Sequence, residues 1–286
     1  MTYVNPDALV SMDWLAAHLN APDVRVVDGT SYLPNQGKNG LEQYNEQHIP
    51  GAVYFDINDI ADKNNPLPHM LPPADKFSSK VRKLGLGDGN KIVVYDANGG
   101  YLAAARVWWM FRVFGHEDVA VLDGGLQKWI DEGREIDDLP PPPRERHFTS
   151  RVNHSLVRSV EQVIANIDTA KEQVIDARSL GRFKGVDPEP RPSTKVGHIP
   201  GSLSLPFNSF MDPKNHFVYR SGDEIQKTVE DAGIDLSKPI AASCGSGVTA
   251  CVLALGLYLI GHKNAAVYDG SWSEWGEHPD TPVETD

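Results

Sequence analysis

Residues 240–261, IAASCGSGVTACVLALGLYLIG, carry the clearest structural pattern of this chain. A short apolar run leads into a turn with two glycines, and a longer apolar run follows and ends at Gly261. A buried strand, a tight turn and an apolar helix in this order form one half of a βαβ unit. The stretch therefore predicts an α/β domain built on a parallel sheet.

The same alternation recurs along the chain. Short β-rich runs that end in Asp, such as KIVVYD (91–96) and EQVID (172–176), are separated by helical runs such as AAARVWWMFRVFG (103–115). Parallel strands are joined by crossovers, and the helices that form the crossovers cover the sheet. We therefore expect an α/β fold in which each parallel β-sheet is flanked by helices on both faces.

Two sequence landmarks occur twice in the same order. HIPG at 48–51 returns at 198–201, and LDGGLQKW at 122–129 returns as YDGSWSEW at 268–275. Repeats at nearly one spacing indicate a duplicated unit of about 140 residues, which is the size of an ordinary domain.

A proline-rich segment, DDLPPPPRERHFTS, separates the two copies. Consecutive prolines form neither a helix nor a central strand, so this segment is predicted to be a linker between two domains. We predict an N-terminal domain at 1–136, a linker at 137–155 and a C-terminal domain at 156–286.

Composition restricts the classes of function. Hydrophobic residues make up 40% and charged residues 23% of the 286 residues, which is typical of a globular protein, and no apolar run predicts a membrane span. The net charge of -12 argues against a large nucleic-acid surface, although a local positive pocket for a small anion is compatible with it. The start, MTYVNPDALVSMDW, lacks a secretory pattern, and the two cysteines suit neither a disulfide framework nor a zinc site. We expect a cytoplasmic protein that binds neither nucleic acid nor a membrane.

Cys244 stands where the predicted strand gives way to a helix that begins near Thr249. Ligands of α/β sheets bind beyond the carboxyl ends of the strands, and a glycine-containing turn directs its N–H groups inward. The helix N-terminus adds a positive partial charge, which favours a nucleophilic thiolate. We expect an accessible thiol at the mouth of a turn that binds an anionic substrate through Gly245, Gly247, Val248 and Thr249.

The second cysteine and the first copy of the unit do not share this pattern. Cys251 lies inside the apolar helix and is interpreted as a core residue. The first copy has Asp96 or Ala97 where a cysteine would stand, so we expect it to supply scaffold and part of the pocket. Trp108 and Trp109 lie on an apolar helix and are expected to pack in the core.

Two HIPG motifs, the linker, a cysteine in the second copy alone, and CGSGVTA at 244–250 are together similar to the tandem rhodanese-fold sulfurtransferases. The similarity spans nearly the whole chain and is strongest to the branch that uses 3-mercaptopyruvate. It implies that Cys244 takes a sulfur atom as a persulfide, releases pyruvate, and passes the sulfur to cyanide, a small thiol or thioredoxin. The branch that uses thiosulfate typically carries CRKGVT, whereas neutral Gly245 and Ser246 suit a substrate with one carboxylate.

The resemblance also assigns the cations that bind the substrate. Arg182 and Arg191 lie in a polar loop before the second HIPG, and they match arginines that the family uses for the carboxylate and keto oxygen. A guanidinium is well shaped to donate two parallel hydrogen bonds to a carboxylate. Arg178 is expected instead to pair with Asp176 or a neighbouring carboxylate and to stiffen the end of a strand.

A serine, histidine and acid set has been proposed in this family for proton transfer. Ser246 matches the serine and His69 the histidine, but Asn58 stands at the acid position, with Asp59 next to it. An Asn side chain can orient His69 but cannot stabilise an imidazolium by charge. His69 is also readily explained as a loop histidine bonded to the backbone.

The cysteine loop is also compatible with other functions. A cysteine phosphatase needs an arginine six residues after the nucleophile, and Ala250 at that position argues against this class. A thiosulfate:cyanide sulfurtransferase and a persulfide carrier without turnover are the remaining alternatives. No group of residues has metal-ligand spacing, so no metal or organic cofactor is expected.

Overall fold

A computed structural model describes residues 2–33, 36–99, 102–142 and 144–285 of the chain. Each half contains a five-stranded sheet whose strand pairs are all parallel. The strands of the first half are β1 (Leu9–Val10), β2 (Val24–Asp28), β3 (Val53–Tyr54), β4 (Lys91–Tyr95) and β5 (Val119–Leu122). Those of the second half are β6 (Val157–Arg158), β7 (Gln173–Asp176), β8 (Leu203–Ser204), β9 (Met211–Asp212), β10 (Val218–Tyr219), β11 (Ile240–Ser243) and β12 (Ala266–Tyr268).

The two sheets have the same strand order, which confirms the duplication. The first sheet runs β1-β5-β4-β2-β3 and the second β6-β12-β11-β7-β8, so each strand has a counterpart in the other half. The antiparallel pair β9 and β10 is an addition to the second half. The predicted α/β class with parallel sheets is confirmed.

Helices occupy the connections between strands. In the first half they are α1 (Met12–His18), α2 (Gly40–Glu46), α3 (Ile57–Ile60), α4 (Ala74–Lys83), α5 (Leu102–Val113) and α6 (Gly125–Asp131). In the second half they are α7 (Val160–Thr169), α8 (Leu180–Phe183), α9 (Gly222–Asp231), α10 (Ala250–Leu259) and α11 (Ser271–Trp275). Short 3-10 helices lie at Pro6–Ala8, His154–Leu156 and Phe207–Phe210.

The surface helix α9 illustrates how local sequence sets helix boundaries. The Ser221 hydroxyl accepts from the N–H of Glu224, and the Glu224 carboxylate accepts from the N–H of Ser221, a reciprocal pair that caps the first turn. Ile225 and Val229, four residues apart, form its buried face.

The most apolar helices join the two halves. Helix α5 packs against α10, and both are buried on nearly every side. Trp108 and Trp109 are 1% and 0% exposed, so the prediction that they pack in the core is confirmed. One continuous apolar cluster contains residues of both halves, which fixes the cysteine loop of the second half against the first half.

The predicted linker lacks regular structure over most of its length but is not detached from the domains. Residues 138–142 and 144–153 form neither helix nor strand, while Phe148 is buried and packs edge-on against Phe77 at 5.6 Å. Pro143 of the predicted linker, and Met1 and Asp286 at the ends of the predicted domains, lie outside the described residues. The boundaries at 136 and 156 stay a prediction.

Candidate active site

A cavity of about 240 Å³ lies between the two halves at the carboxyl ends of β7 and β11. It is smaller than the roughly 300–1,000 Å³ of pockets that hold drug-sized ligands, so it suits a small molecule. The predicted site residues that line it are Cys244, Gly245, Ser246, Val248, Thr249, Arg182, Arg191 and His69. Arg182, Arg191, the cysteine loop and His69 of the first half therefore all line the same cavity.

Cys244 lies at the floor of this cavity rather than at an open mouth. Its residue surface is only 1% exposed, so the expectation of a freely accessible thiol is wrong. The segment with Arg182 and Arg191 and the first-half loop with His69 form walls above the turn. Cys244 therefore borders the cavity while bulk solvent is largely excluded from it.

Hydrogen bonds to Ser271 stabilise the turn after Cys244. The Ser271 hydroxyl accepts from the N–H groups of Cys244 and Gly247, both at 3.1 Å, and donates to the Tyr268 carbonyl at 2.8 Å. Among the residues predicted to bind substrate, Gly247 is therefore not brought to the cavity. Its φ of +74° gives the turn its shape, a conformation that glycine adopts readily.

Comparing the two copies of the unit could have identified Ser271 from the sequence. Its counterpart in the first half is Gly125, and both have positive φ, +50° for Ser271 and +61° for Gly125. A side chain in this conformation is uncommon and carries strain. The second half keeps a serine there, and its hydroxyl holds the cysteine loop.

Several backbone donors of the loop are left free to bind an anion. The N–H groups of Ser246, Val248 and Thr249 have no acceptor among the described residues, and these residues line the cavity. Helix α10 begins directly after Thr249, so its positive end faces the same region. The arrangement stabilises negative charge on a sulfur or on a bound carboxylate.

In the first half the corresponding site is already filled. Asp96 follows β4 as Cys244 follows β11, and the Asp96 carbonyl accepts from Leu126 as that of Cys244 accepts from Trp272. The Asp96 carboxylate accepts from the N–H groups of Ala103 and Ala104 at the start of α5, at 3.1 and 3.0 Å. The first half thus places its own carboxylate at the equivalent helix, where the second half has its cysteine.

Arg191 connects the serine and the histidine of the site. Its Nη1 donates to Ser246 Oγ at 3.2 Å, and its Nη2 lies 3.0 Å from His69 Nε2. Burial lowers the pKa of Arg191 and the nearby charge of Arg182 adds to this effect, while the charges of Cys244 and Glu189 act in the opposite direction. Since arginine only donates, His69 Nε2 accepts and the imidazole proton is on Nδ1.

His69 is a neutral group in this structure. Burial lowers its pKa to about 3, and the positive charges of Arg191 and Arg106 add to the effect. Asn58, which stands at the acid position, is exposed, and its neighbour Asp59 pairs with Lys80 at 2.5 Å. The described residues therefore do not assemble a serine, histidine and acid triad, and His69 serves instead as an acceptor for Arg191.

Arg182 and Arg178 share the carboxylate of Glu189. Glu189 accepts from Arg178 Nη1 at 2.8 Å and from both Nε and Nη2 of Arg182. Arg178 also binds Asp176 through Nε and Nη2, which confirms the expected structural pair. Arg182 reaches the cavity with one edge of its guanidinium already occupied.

Arg106 is the site residue that sequence reasoning missed. It lies on α5, is 0% exposed, and pairs with Asp269 of the second half at 2.7 Å. Its Nη1 donates to the Gly247 carbonyl at 3.1 Å and its Nη2 to the His69 carbonyl. One first-half arginine therefore braces both the cysteine loop and the histidine loop. The sequence feature that could have indicated this role is a charged residue inside an apolar helix. A buried charge needs a partner, so Arg106 could have been expected to bind a polar group elsewhere in the fold.

Cys251 is not an alternative nucleophile. It is 0% exposed within α10, and its thiol donates to the Gly247 carbonyl at 3.2 Å. Burial raises the pKa of Cys251 far above its usual value, so this thiol stays protonated. The prediction that it is a core residue is confirmed.

Taken together, two α/β units of one topology and a cysteine at the carboxyl edge of the second sheet define a rhodanese-type protein. A model of the Rhodanese-like domain matches residues 11–132 and 159–278, and the chain belongs to this family. Relatives include the 3-mercaptopyruvate sulfurtransferase of Homo sapiens, 41% identical over 94% of this chain and 91% of that protein. The thiosulfate sulfurtransferase of Gallus gallus is also 41% identical, over 94% of this chain and 93% of that protein.

A solved structure supports the same relationship. The crystal structure of SseA from Escherichia coli, a protein described as a 3-mercaptopyruvate sulfotransferase, aligns with a TM-score of 0.85 and 36% identity. The alignment covers 93% of this chain and 99% of that chain. Within the described residues, none of the helices has the length and apolar character needed to cross a bilayer.

Proposed function

We propose that this protein is a sulfurtransferase that moves the sulfur of 3-mercaptopyruvate through a persulfide on Cys244 to a thiol, thioredoxin or cyanide. The observation that carries the proposal is the placement of Cys244, Arg182 and Arg191 around one small cavity. Relatives named for mercaptopyruvate and for thiosulfate match at the same 41% identity, so overall similarity does not distinguish the two donors. The choice of mercaptopyruvate over thiosulfate as the donor therefore depends on the residues of the site.

The first half-reaction forms one bond and breaks one. The Cys244 thiolate attacks the sulfur of mercaptopyruvate, an S–S bond forms, and the C–S bond breaks with its electron pair left on carbon. The resulting enolate takes the proton of the transferred thiol and becomes pyruvate, and the enzyme keeps a persulfide anion. No redox cofactor enters this balance.

Arg191 is the residue best placed to stabilise the transition state. Its guanidinium lies at the cavity wall beside Ser246, where it can bind the carboxylate or the developing enolate oxygen. The free N–H groups of Val248 and Thr249 and the positive end of α10 stabilise the anionic outer sulfur. His69 holds Arg191 and stays neutral, so it does not supply charge.

The second half-reaction returns the enzyme to its starting state. An acceptor thiolate or cyanide attacks the outer sulfur, the S–S bond breaks, and Cys244 leaves as a thiolate. Cys244 and Cys251 are both free, which suits a reducing, cytoplasmic setting for this chemistry. In this scheme the domain proposed at 156–286 supplies the nucleophile and the domain at 1–136 supplies one wall.

Steady-state turnover tests the proposed function. With mercaptopyruvate and excess cyanide, we expect continuous release of pyruvate and thiocyanate in equal amounts. A single burst equal to the protein present would favour a persulfide carrier without turnover. Faster turnover with thiosulfate than with mercaptopyruvate would favour the thiosulfate:cyanide alternative.

A side chain at position 245 should displace Arg182 without unfolding the protein. A Cβ on Gly245 would lie 2.7 Å from Arg182 Nη2, the end of a flexible side chain that can move. We expect Gly245→Ala to keep the melting temperature and to raise KM for mercaptopyruvate about five- to tenfold, because the substrate loses a cation. Thermal unfolding and initial rates check this. An unchanged KM would remove Arg182 from the binding role.

A further inference from the structure

The charge of the cavity is set by more residues than the two predicted arginines. Three guanidinium groups reach its wall, those of Arg178, Arg182 and Arg191. All are at least partly withdrawn from water, so their charges are screened less than surface charges. The carboxylates that face these groups therefore decide which anions the cavity accepts.

Glu189 neutralises one of these charges. Its side chain is 10% exposed, and its oxygens accept from Arg178 at 2.8 Å and from two nitrogens of Arg182. Asp176 neutralises a second charge through its ion pair with Arg178 at 2.7 Å. Glu189 thus pairs both with Arg178, which has a structural role, and with Arg182, which is proposed to bind substrate.

The charge of Arg191 is offset only from a distance, by the charges of Cys244 and Glu189. No carboxylate among the described residues lies within ion-pair distance of it, and its contacts are Ser246 and His69, both neutral. Three guanidinium charges and two carboxylate charges leave the wall with one net positive charge. Mercaptopyruvate carries one carboxylate, whereas thiosulfate carries two negative charges.

We propose that Glu189 is a specificity-determining residue. It limits the arginine wall that faces Cys244 to one net positive charge, so a dianionic sulfur donor would bring a second negative charge out of water with no cation to pair with it, and a monoanionic donor is favoured. The inference rests on the proposed function and deepens it. Donor choice would then depend on Glu189 as well as on neutral Gly245 and Ser246, because Glu189 sets the net charge of the arginines that line the cavity.

The test compares donors in Glu189→Gln, with cyanide as the acceptor. Removing one negative charge should raise kcat/KM for thiosulfate relative to that for mercaptopyruvate by about tenfold, since the dianion gains one more unit of attraction. Glu189→Asp keeps the charge and should keep the wild-type ratio. An unchanged ratio in a folded Glu189→Gln protein would overturn the inference.

A matched control separates this effect from the general loss of an ion pair. Glu172 binds Arg158 through both oxygens, at 2.8 and 2.6 Å, and does not line the cavity. Glu172→Gln should leave the donor ratio unchanged, and a rise equal to that of Glu189→Gln would also overturn the inference. If the wild type transfers sulfur from neither donor, the proposed function itself fails, which is a different result.

A measurement on the wild type covers the case in which Glu189→Gln does not fold. Pyruvate and oxalate are planar and of similar size, but pyruvate has one negative charge and oxalate two. As competitive inhibitors against mercaptopyruvate, we expect pyruvate to bind more tightly than oxalate. Equal or tighter binding of oxalate would contradict a wall with one net positive charge.

Discussion

Cys244→Ser is expected to reduce sulfur transfer to the background rate, a loss of about a thousandfold or more. A serine hydroxyl is not ionised in this loop at neutral pH and cannot hold a transferable outer sulfur. The substitution removes one buried sulfur atom and leaves the N–H contacts to Ser271 in place, so the fold should persist. Pyruvate release from mercaptopyruvate, measured with circular dichroism as a check of folding, tests this.

The second cysteine provides the matched control. Cys251→Ser should retain most of the activity, because the new hydroxyl can donate to the Gly247 carbonyl as the thiol does. Placing a hydroxyl in this fully buried helix should reduce the free energy of unfolding by about 1–2 kcal/mol. Equal losses of activity in both variants would refute the assignment of Cys244 as the single nucleophile.

Arg191→Ala should produce the second largest loss. The substitution removes the guanidinium that carries the net positive charge of the wall, and with it the contacts to Ser246 and His69. A charge-assisted, partly buried contact to substrate is worth enough to reduce kcat/KM for mercaptopyruvate about a hundredfold. Initial rates over a range of mercaptopyruvate concentrations measure the effect.

Two further arginine variants make this result specific. Arg182→Ala should lose less than Arg191→Ala, because Glu189 already occupies one edge of the Arg182 guanidinium. Arg220→Ala, at a side chain that is 35% exposed and does not line the cavity, should retain wild-type kinetics. A larger loss in Arg182→Ala than in Arg191→Ala would reverse the roles that the geometry gives them.

The sequence predicted the features that depend on local pattern. Apolar runs and glycine turns indicated strands and helices, so the parallel sheets and the position of Cys244 at a strand end followed. The duplicated landmarks indicated two units, because equivalent segments fold in the same way. Cys251, Trp108 and Trp109 were assigned to the core since their surroundings in the chain are apolar.

Contacts between distant segments could not be predicted in this way. Arg106 contacts the Gly247 carbonyl and Asp269 from the other half of the chain, and no local pattern encodes that approach. The burial of Cys244 has the same origin, since the walls above it come from two separate loops. Glu189 lies two residues before Arg191 in the sequence, yet its function as a partner of Arg178 and Arg182 appears only in the fold.

In the proposed mechanism, the transferred sulfur atom resides on Cys244 between the two half-reactions. Mass spectrometry of the wild type after incubation with mercaptopyruvate, without an acceptor, tests it most directly. We predict a gain of one sulfur atom on Cys244, one equivalent of pyruvate released, and loss of the added sulfur when cyanide is supplied. Pyruvate release with Cys244 unmodified, or the added sulfur on Cys251, would contradict the account.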